Sequence, residues 1–219
     1  MNTKNKSTEK MLRQWSVKSI EEEYLTYGEG LFAEDVFGEK YEETLEKHKA
    51  QLETKISYCK NLLKEYDTDL IYYTLASLYD RFKPQASIDS FFKRSARYYA
   101  LKAIKRNSCN TRAWVLLAKC YRWLSIVGKY GNDDVIMVIR DALASDDNIE
   151  NEGVSYVDID YELDYAQKRS IKYLEKAIYC IKKALEIKPN TYYKKLLKDL
   201  LNQRNQEYKP SDISRIITL

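Results

Sequence analysis

Glycine and proline are scarce in this chain: six and three among 219 residues. With so few helix breakers, and few short β-branched runs, the expected fold class is all-α. Histidine occurs once, and none of the four cysteines (Cys59, Cys109, Cys120, Cys180) makes a C-x-x-C pair. That ligand count argues against a zinc site. Scattered thiols fit a reduced, cytoplasmic protein in which they pack as small hydrophobes. No run of 18 apolar residues is present, so no membrane span is expected. The opening stretch, MNTKNKSTEKMLRQW, is charged and has no apolar core, so it does not read as a secretory signal. A Gly-rich phosphate loop, G-x-S-x-G, H-E-x-x-H and a Cys–His arrangement in register are all missing. No catalytic residue, cofactor or metal is therefore expected.

What the chain does have is tyrosine and charge. There are 20 Tyr, and 37 Lys+Arg stand against 33 Asp+Glu for a net +4. The apolar fraction of 44% is enough for a continuous core in one domain or one elongated repeat array. Residues 1 to about 15 are polar, basic and without periodicity, and are expected to be disordered. Ser16 or Ser19 can cap a short helix through Tyr24, and an apolar loop around residues 31–37 follows. This first region, 1–38, precedes a helical domain, 39–204, and a C-terminal tail, 205–219. From Glu39 to Tyr66 runs the longest stripe: Tyr41, Leu45, His48, Leu52, Ile56, Cys59, Leu63 and Tyr66. Steps of three and four predict a long helix with His48 structural and partly buried.

Asn110 to Leu124, NTRAWVLLAKCYRWL, reads as a capped amphipathic helix. Asn110 or Thr111 is the cap, and Trp114, Leu117, Ala118 and Tyr121 share one face. Tyr72, Leu75, Ala76 and Tyr79 repeat that pattern 42 positions earlier, and residues 59–82 align without gaps on 101–124. Downstream of the first occurrence, Ala96, Ala100 and Ala103 follow a step of four and then three. Ala177, Ile181 and Ala184, with Pro189 after them, do the same. Asn190 or Thr191 caps a last helix.

These runs resemble the tetratricopeptide repeat, whose first helix carries W-x2-L-G-x2-Y and whose second carries small residues before a Pro. Ala118 takes the place of the family's Gly, and Ser108 that of the Pro. The repeat step is 42 and then 81 residues, where the family has 34. The resemblance covers about 55–205 in pieces. It implies a helical hairpin array (an α-solenoid) with a long N-terminal helix.

The second step holds an insertion, 125–170. From Asp133 to Asp164 there are eleven acidic residues and one basic, a net −10 in a chain of +4. It reads as a solvated acidic loop, or as a segment that docks or masks in cis. Asp133 or Asp134 can cap a short helix, VIMVIRDALA, within it. Asn148, Glu150, Glu152 and Gly153 resemble a calcium loop, but Ile159 stands where a bidentate Glu is required.

The resemblance also implies a non-enzymatic interaction module, an adaptor or assembly subunit. Its groove, lined by the first helices, would hold an acidic or amphipathic segment of a protein partner. The groove residues would be Leu70, Tyr73, Ser77 and Asp80, then Arg112, Val115, Lys119 and Arg122, then Lys194, Lys195 and Lys198. The family's clamp for chaperone tails is not matched. The alternative is an RNA-associated protein. Arg94, Arg97, Tyr98, Tyr99, Lys102, Lys105 and Arg106 form a basic, aromatic helix, and Lys4, Lys6, Lys10 and Arg13 add to it.

Overall fold

A computed structural model of the chain describes residues 3–17, 40–81, 91–126 and 156–207. Among the described residues there are seven helices and no strand. They are α1 (Thr3–Trp15), α2 (Tyr41–Leu62), α3 (Asp69–Arg81), α4 (Phe91–Arg106), α5 (residues 111–126), α6 (Tyr156–Ile187) and α7 (Thr191–Glu207). The chain divides into two compact units, Met1–Leu117 and Ala118–Leu219, and the division falls within α5.

In the first unit α3 is the central helix, in contact with α1, α2 and most extensively α4. Its burial follows from that position. Thr74 through Tyr79 are six consecutive buried residues, more than one helix face can supply. Leu75, Ala76 and Leu78 are fully enclosed. Each large apolar side chain removed from water this way contributes about 1.5–3 kcal/mol. Facing them, Ala96, Ala100 and Ala103 of α4 are also fully buried. Small side chains let the two helices approach closely, as the alanine spacing predicts. Tyr99 of α4 stacks on Tyr79 at 5.5 Å and on Tyr72 at 6.4 Å. Burial pushes the Tyr99 phenol above its usual pKa; Tyr79 beside it adds to that, and the Lys60 ammonium opposes it.

The stripe on α2 buries His48, Leu52, Ile56 and Cys59. The helix stops at Leu62, short of the expected Tyr66. There the chain tightens into three-residue turns, Lys64 N–H to Asn61 and Glu65 N–H to Leu62, both 3.1 Å. The Thr68 hydroxyl then accepts the Ile71 N–H at 3.4 Å and starts α3. The α5 cap is Asn110, whose Oδ1 accepts the Ala113 N–H at 3.0 Å.

Two sequence expectations are corrected. Residues 3–15 of the expected disordered tail form helix α1. Their apolar residues crowd at one end (Met11, Leu12, Trp15), so the pattern is too short to read as periodic. The helix gains its stability by docking, with Leu12 buried. Second, the acidic insertion is not a loop through to 170, because residues 156–170 belong to α6, a single helix of 32 residues. Asp158, Asp160, Glu162 and Asp164 lie toward its N-terminal end, and Lys168, Arg169, Lys172 and Lys176 come later. An acid-first order suits the helix dipole at its start.

In the second unit α6 and α7 pack as a hairpin. Ile171, Leu174, Ala177, Ile178, Ile181 and Ala184 of α6 are buried, as is Leu200 of α7. The buried hydroxyl of Ser170 donates to the Ser125 carbonyl at 2.6 Å and so fixes the end of α5 to α6. Tyr121 stacks on Tyr173 at 6.0 Å, with the Lys176 ammonium over both rings. Residues 18–24 of the expected short helix, the apolar loop at 31–37, the capped helix after 133 and the calcium-like positions 148, 150, 152 and 153 lie outside the described residues.

Candidate functional site

The first unit gathers its candidate site around α1. This helix is held on α3 through its carbonyl oxygens. Thr74 Oγ1 donates to Leu12 at 3.3 Å, Ser77 Oγ to Ser16 at 3.1 Å and Arg81 Nη2 to Trp15 at 2.5 Å. All three donors are buried, Arg81 to 1% exposure. A guanidinium at the last turn also meets the negative end of the helix dipole. Trp15 adds an edge-on contact with Tyr58 of α2, ring centroids 5.5 Å apart.

Two hollows flank α1. The larger is a cleft of about 790 Å³ between α1, the α2–α3 turn and the turn before α5. Tyr58, Leu62, Tyr66, Leu70 and Tyr73 give it apolar walls, and Arg13, Glu65, Asp69 and Arg112 give it charge. Tyr58 and Tyr66 remain 41% and 45% exposed. The Asp69 carboxylate accepts from Asn107 Nδ2 at 2.9 Å and Asn110 Nδ2 at 3.0 Å, which ties the starts of α3 and α5 together. Cys109, an exposed thiol, sits on the same turn. The other hollow is a furrow of about 770 Å³ lined by Lys6, Glu9, Lys10, Arg13, Gln14, Val17 and Arg112.

The residues expected in a groove are dispersed. Ser77 is buried beneath α1, and Val115 is buried within the run Val115–Ala118, so neither is open to a ligand. The reason is the same for both: α3 and α5 are covered on more faces than the repeat pattern alone supplies. Leu70 and Tyr73 line the cleft, and Arg112 lines both hollows. Asp80 is half-buried. Lys119, Arg122, Lys194, Lys195 and Lys198 belong to the second unit. Arg122 is half-buried and donates to Gln203 of α7 at 3.2 Å; the four lysines are exposed.

On α4, Tyr98 is 53% exposed, with the Lys102 ammonium 5.4 Å from its ring centre. Arg97 is half-buried, Lys105 is exposed, and Arg106 pairs with Asp67. The side chain of Arg94 lies outside what is described. The lining role of α1 was missed in the sequence. The signal that could have found it is the spacing of Lys6, Lys10 and Arg13, which share one helix face.

Among the described residues no cluster of His, Cys, Asp or Glu is placed to hold a metal ion. No helix among them is long and apolar enough to cross a membrane. Comparison with family models, curated proteins and solved structures gives no match.

Proposed function

We propose that this chain is a non-enzymatic interaction module of tetratricopeptide-like helical hairpins, and that its ligand is an amphipathic segment of another protein. The reading rests on one observation above all, the mixed cleft beside α1. Its aromatic and leucine walls suit the apolar face of a helix or strand, and its carboxylates and guanidinia suit the polar face. Tyrosines that can be covered by a partner are typical anchors of protein interfaces. The repeat reading is supported by matched burial. Leu75 with Ala76 and Leu117 with Ala118 are the enclosed pairs of the two aligned runs, and Ala96, Ala100, Ala103, Ala177 and Ala184 are all fully enclosed.

The test is a native pull-down comparing the wild type with a Tyr66→Ser, Leu70→Ser variant and a Lys194→Glu, Lys195→Glu variant. A partner lost only from the first variant supports the cleft. A partner lost only from the second moves the site to α7 and ends this assignment.

The exposed Tyr98 with Lys102 over its ring favours nucleic acid as a second reading, since such a ring can stack on an unpaired base. A single-stranded RNA held by the wild type and released by Tyr98→Ala would replace the first reading with this one.

A further inference from the structure

The geometry points to the basic furrow on the outer side of α1 as a docking surface for an acidic segment of a partner protein. This rests on the interaction-module reading and names the chemistry of one ligand. At 100° per residue, Lys6, Lys10 and Arg13 fall within an arc of about 60° on α1. Thr8, Leu12 and Trp15 fall on the opposite side. Docking of α1 through Leu12 therefore turns the cationic arc outward.

Arg112, from the start of α5, joins the same hollow. Four cations from two distant parts of the chain thus converge. Among the described residues Glu9 is the only acidic one lining the furrow, and its carboxylate is held by Arg13 at 2.6 Å. Lys6 and Lys10 are about 6 Å apart along the helix axis. A partner helix with glutamates four residues apart presents carboxylates at the same step. Along the axis Lys6 and Lys10 lie within one Debye length at physiological salt, about 8 Å, so an acidic ligand feels both together. The surface exists only while α1 is docked, which makes Arg81 a positioning residue for it: it touches the Trp15 carbonyl and lines neither hollow.

The experiment is fluorescence anisotropy of a labelled octaglutamate peptide against the full chain, at about 50 and about 200 mM salt. The furrow variant is Lys6→Gln, Lys10→Gln, Arg112→Gln. The control, Lys194→Gln, Lys195→Gln, Lys198→Gln, removes equal charge from exposed positions of α7. The furrow variant is expected to bind roughly tenfold or more weakly, with a flatter salt dependence, while the control stays within about twofold of the wild type. Arg81→Met is expected to weaken binding nearly as much. Adding the furrow substitutions to it should then change little, a non-additivity that a general loss of stability does not produce. Equal weakening by furrow and control variants would reduce the effect to net charge and overturn the proposal. So would wild-type affinity in the furrow variant, or a single-stranded oligonucleotide that binds more tightly than the peptide. Arg112 lines the cleft as well, so the two readings are told apart by the Tyr66→Ser, Leu70→Ser variant, whose residues line the cleft and not the furrow.

Discussion

The guanidinium of Arg81 donates to the carbonyl of Trp15 across 66 positions of sequence, and both ends of that bond belong to helices. Arg81 also donates to the Ser77 hydroxyl at 3.1 Å, and Ser77 in turn donates to Ser16. Arg81→Met removes the charge-assisted bond and leaves the Trp15 carbonyl with one donor fewer. The expected loss is about 1–3 kcal/mol in denaturant unfolding. Amide exchange over residues 3–17 should quicken more than that of α3 or α4. Exchange that quickens evenly throughout the first unit would mean that α1 has no separate docking step.

Ala100 is fully enclosed between α3 and α4. Ala100→Leu adds three carbon atoms where no space exists, and about 1–3 kcal/mol of stability should be lost. Leu101, next in the chain, is 44% exposed. Leu101→Ala should cost no more than about 0.5 kcal/mol. Thermal unfolding of the two variants side by side checks the contrast.

Cys59 and Cys180 are buried, and burial pushes both thiols up to about 12 from the usual 9.0. Between those values the folded state keeps protons that the unfolded state releases. This contribution is complete below about pH 9 and falls as pH rises toward about 12, by roughly 1.4 kcal/mol per pH unit for each thiol. Stability measured by denaturant from about pH 8 to about pH 10.5 should therefore fall less steeply in a Cys59→Ala, Cys180→Ala variant than in the wild type. Alkylation at pH near 8 should label the exposed Cys109 first.

Asp69 joins two helix starts through Asn107 and Asn110. Asp69→Ala breaks both bonds and should cost about 1–2 kcal/mol. Because Asn110 also caps α5, Asn110→Ala removes the cap and one Asp69 bond together, and should cost at least as much. The double variant should fall short of the sum, since the Asp69–Asn110 bond is counted in both. Strict additivity would show that this bond contributes nothing.

The core of the hairpins was legible because its residues repeat. Leu75, Ala76, Leu117, Ala118 and the alanines of α4 and α6 stand at three- and four-residue steps, and burial follows those steps. The site was less legible, because it is made by docking. Nothing in the periodicity of α3 tells that Ser77 meets a carbonyl 61 positions away. Arg112 was singled out as a lining residue, but its neighbours Lys6 and Lys10 were set apart with the N-terminal tail. A main-chain carbonyl leaves no mark on the amino-acid sequence, so α1 could not be matched to its receptor. The end of the acidic stretch misled for a different reason. Charge at 158–164 looked like solvation, while the helix-forming residues around it continue into α6.

The separation of α1 from α3 also has a kinetic side. The hairpins α3–α4 and α6–α7 join neighbours in sequence, whereas α1 must close a loop of more than 60 residues before its bonds form. Loop closure of that size slows a contact relative to local ones. In refolding, the edge-on meeting of Trp15 with Tyr58 should therefore lag behind the gain of helix, and stopped-flow fluorescence would time it. Synthesis runs from the N-terminus. α1 is therefore made before α3, and a chain still on the ribosome carries α1 without the surface that receives it.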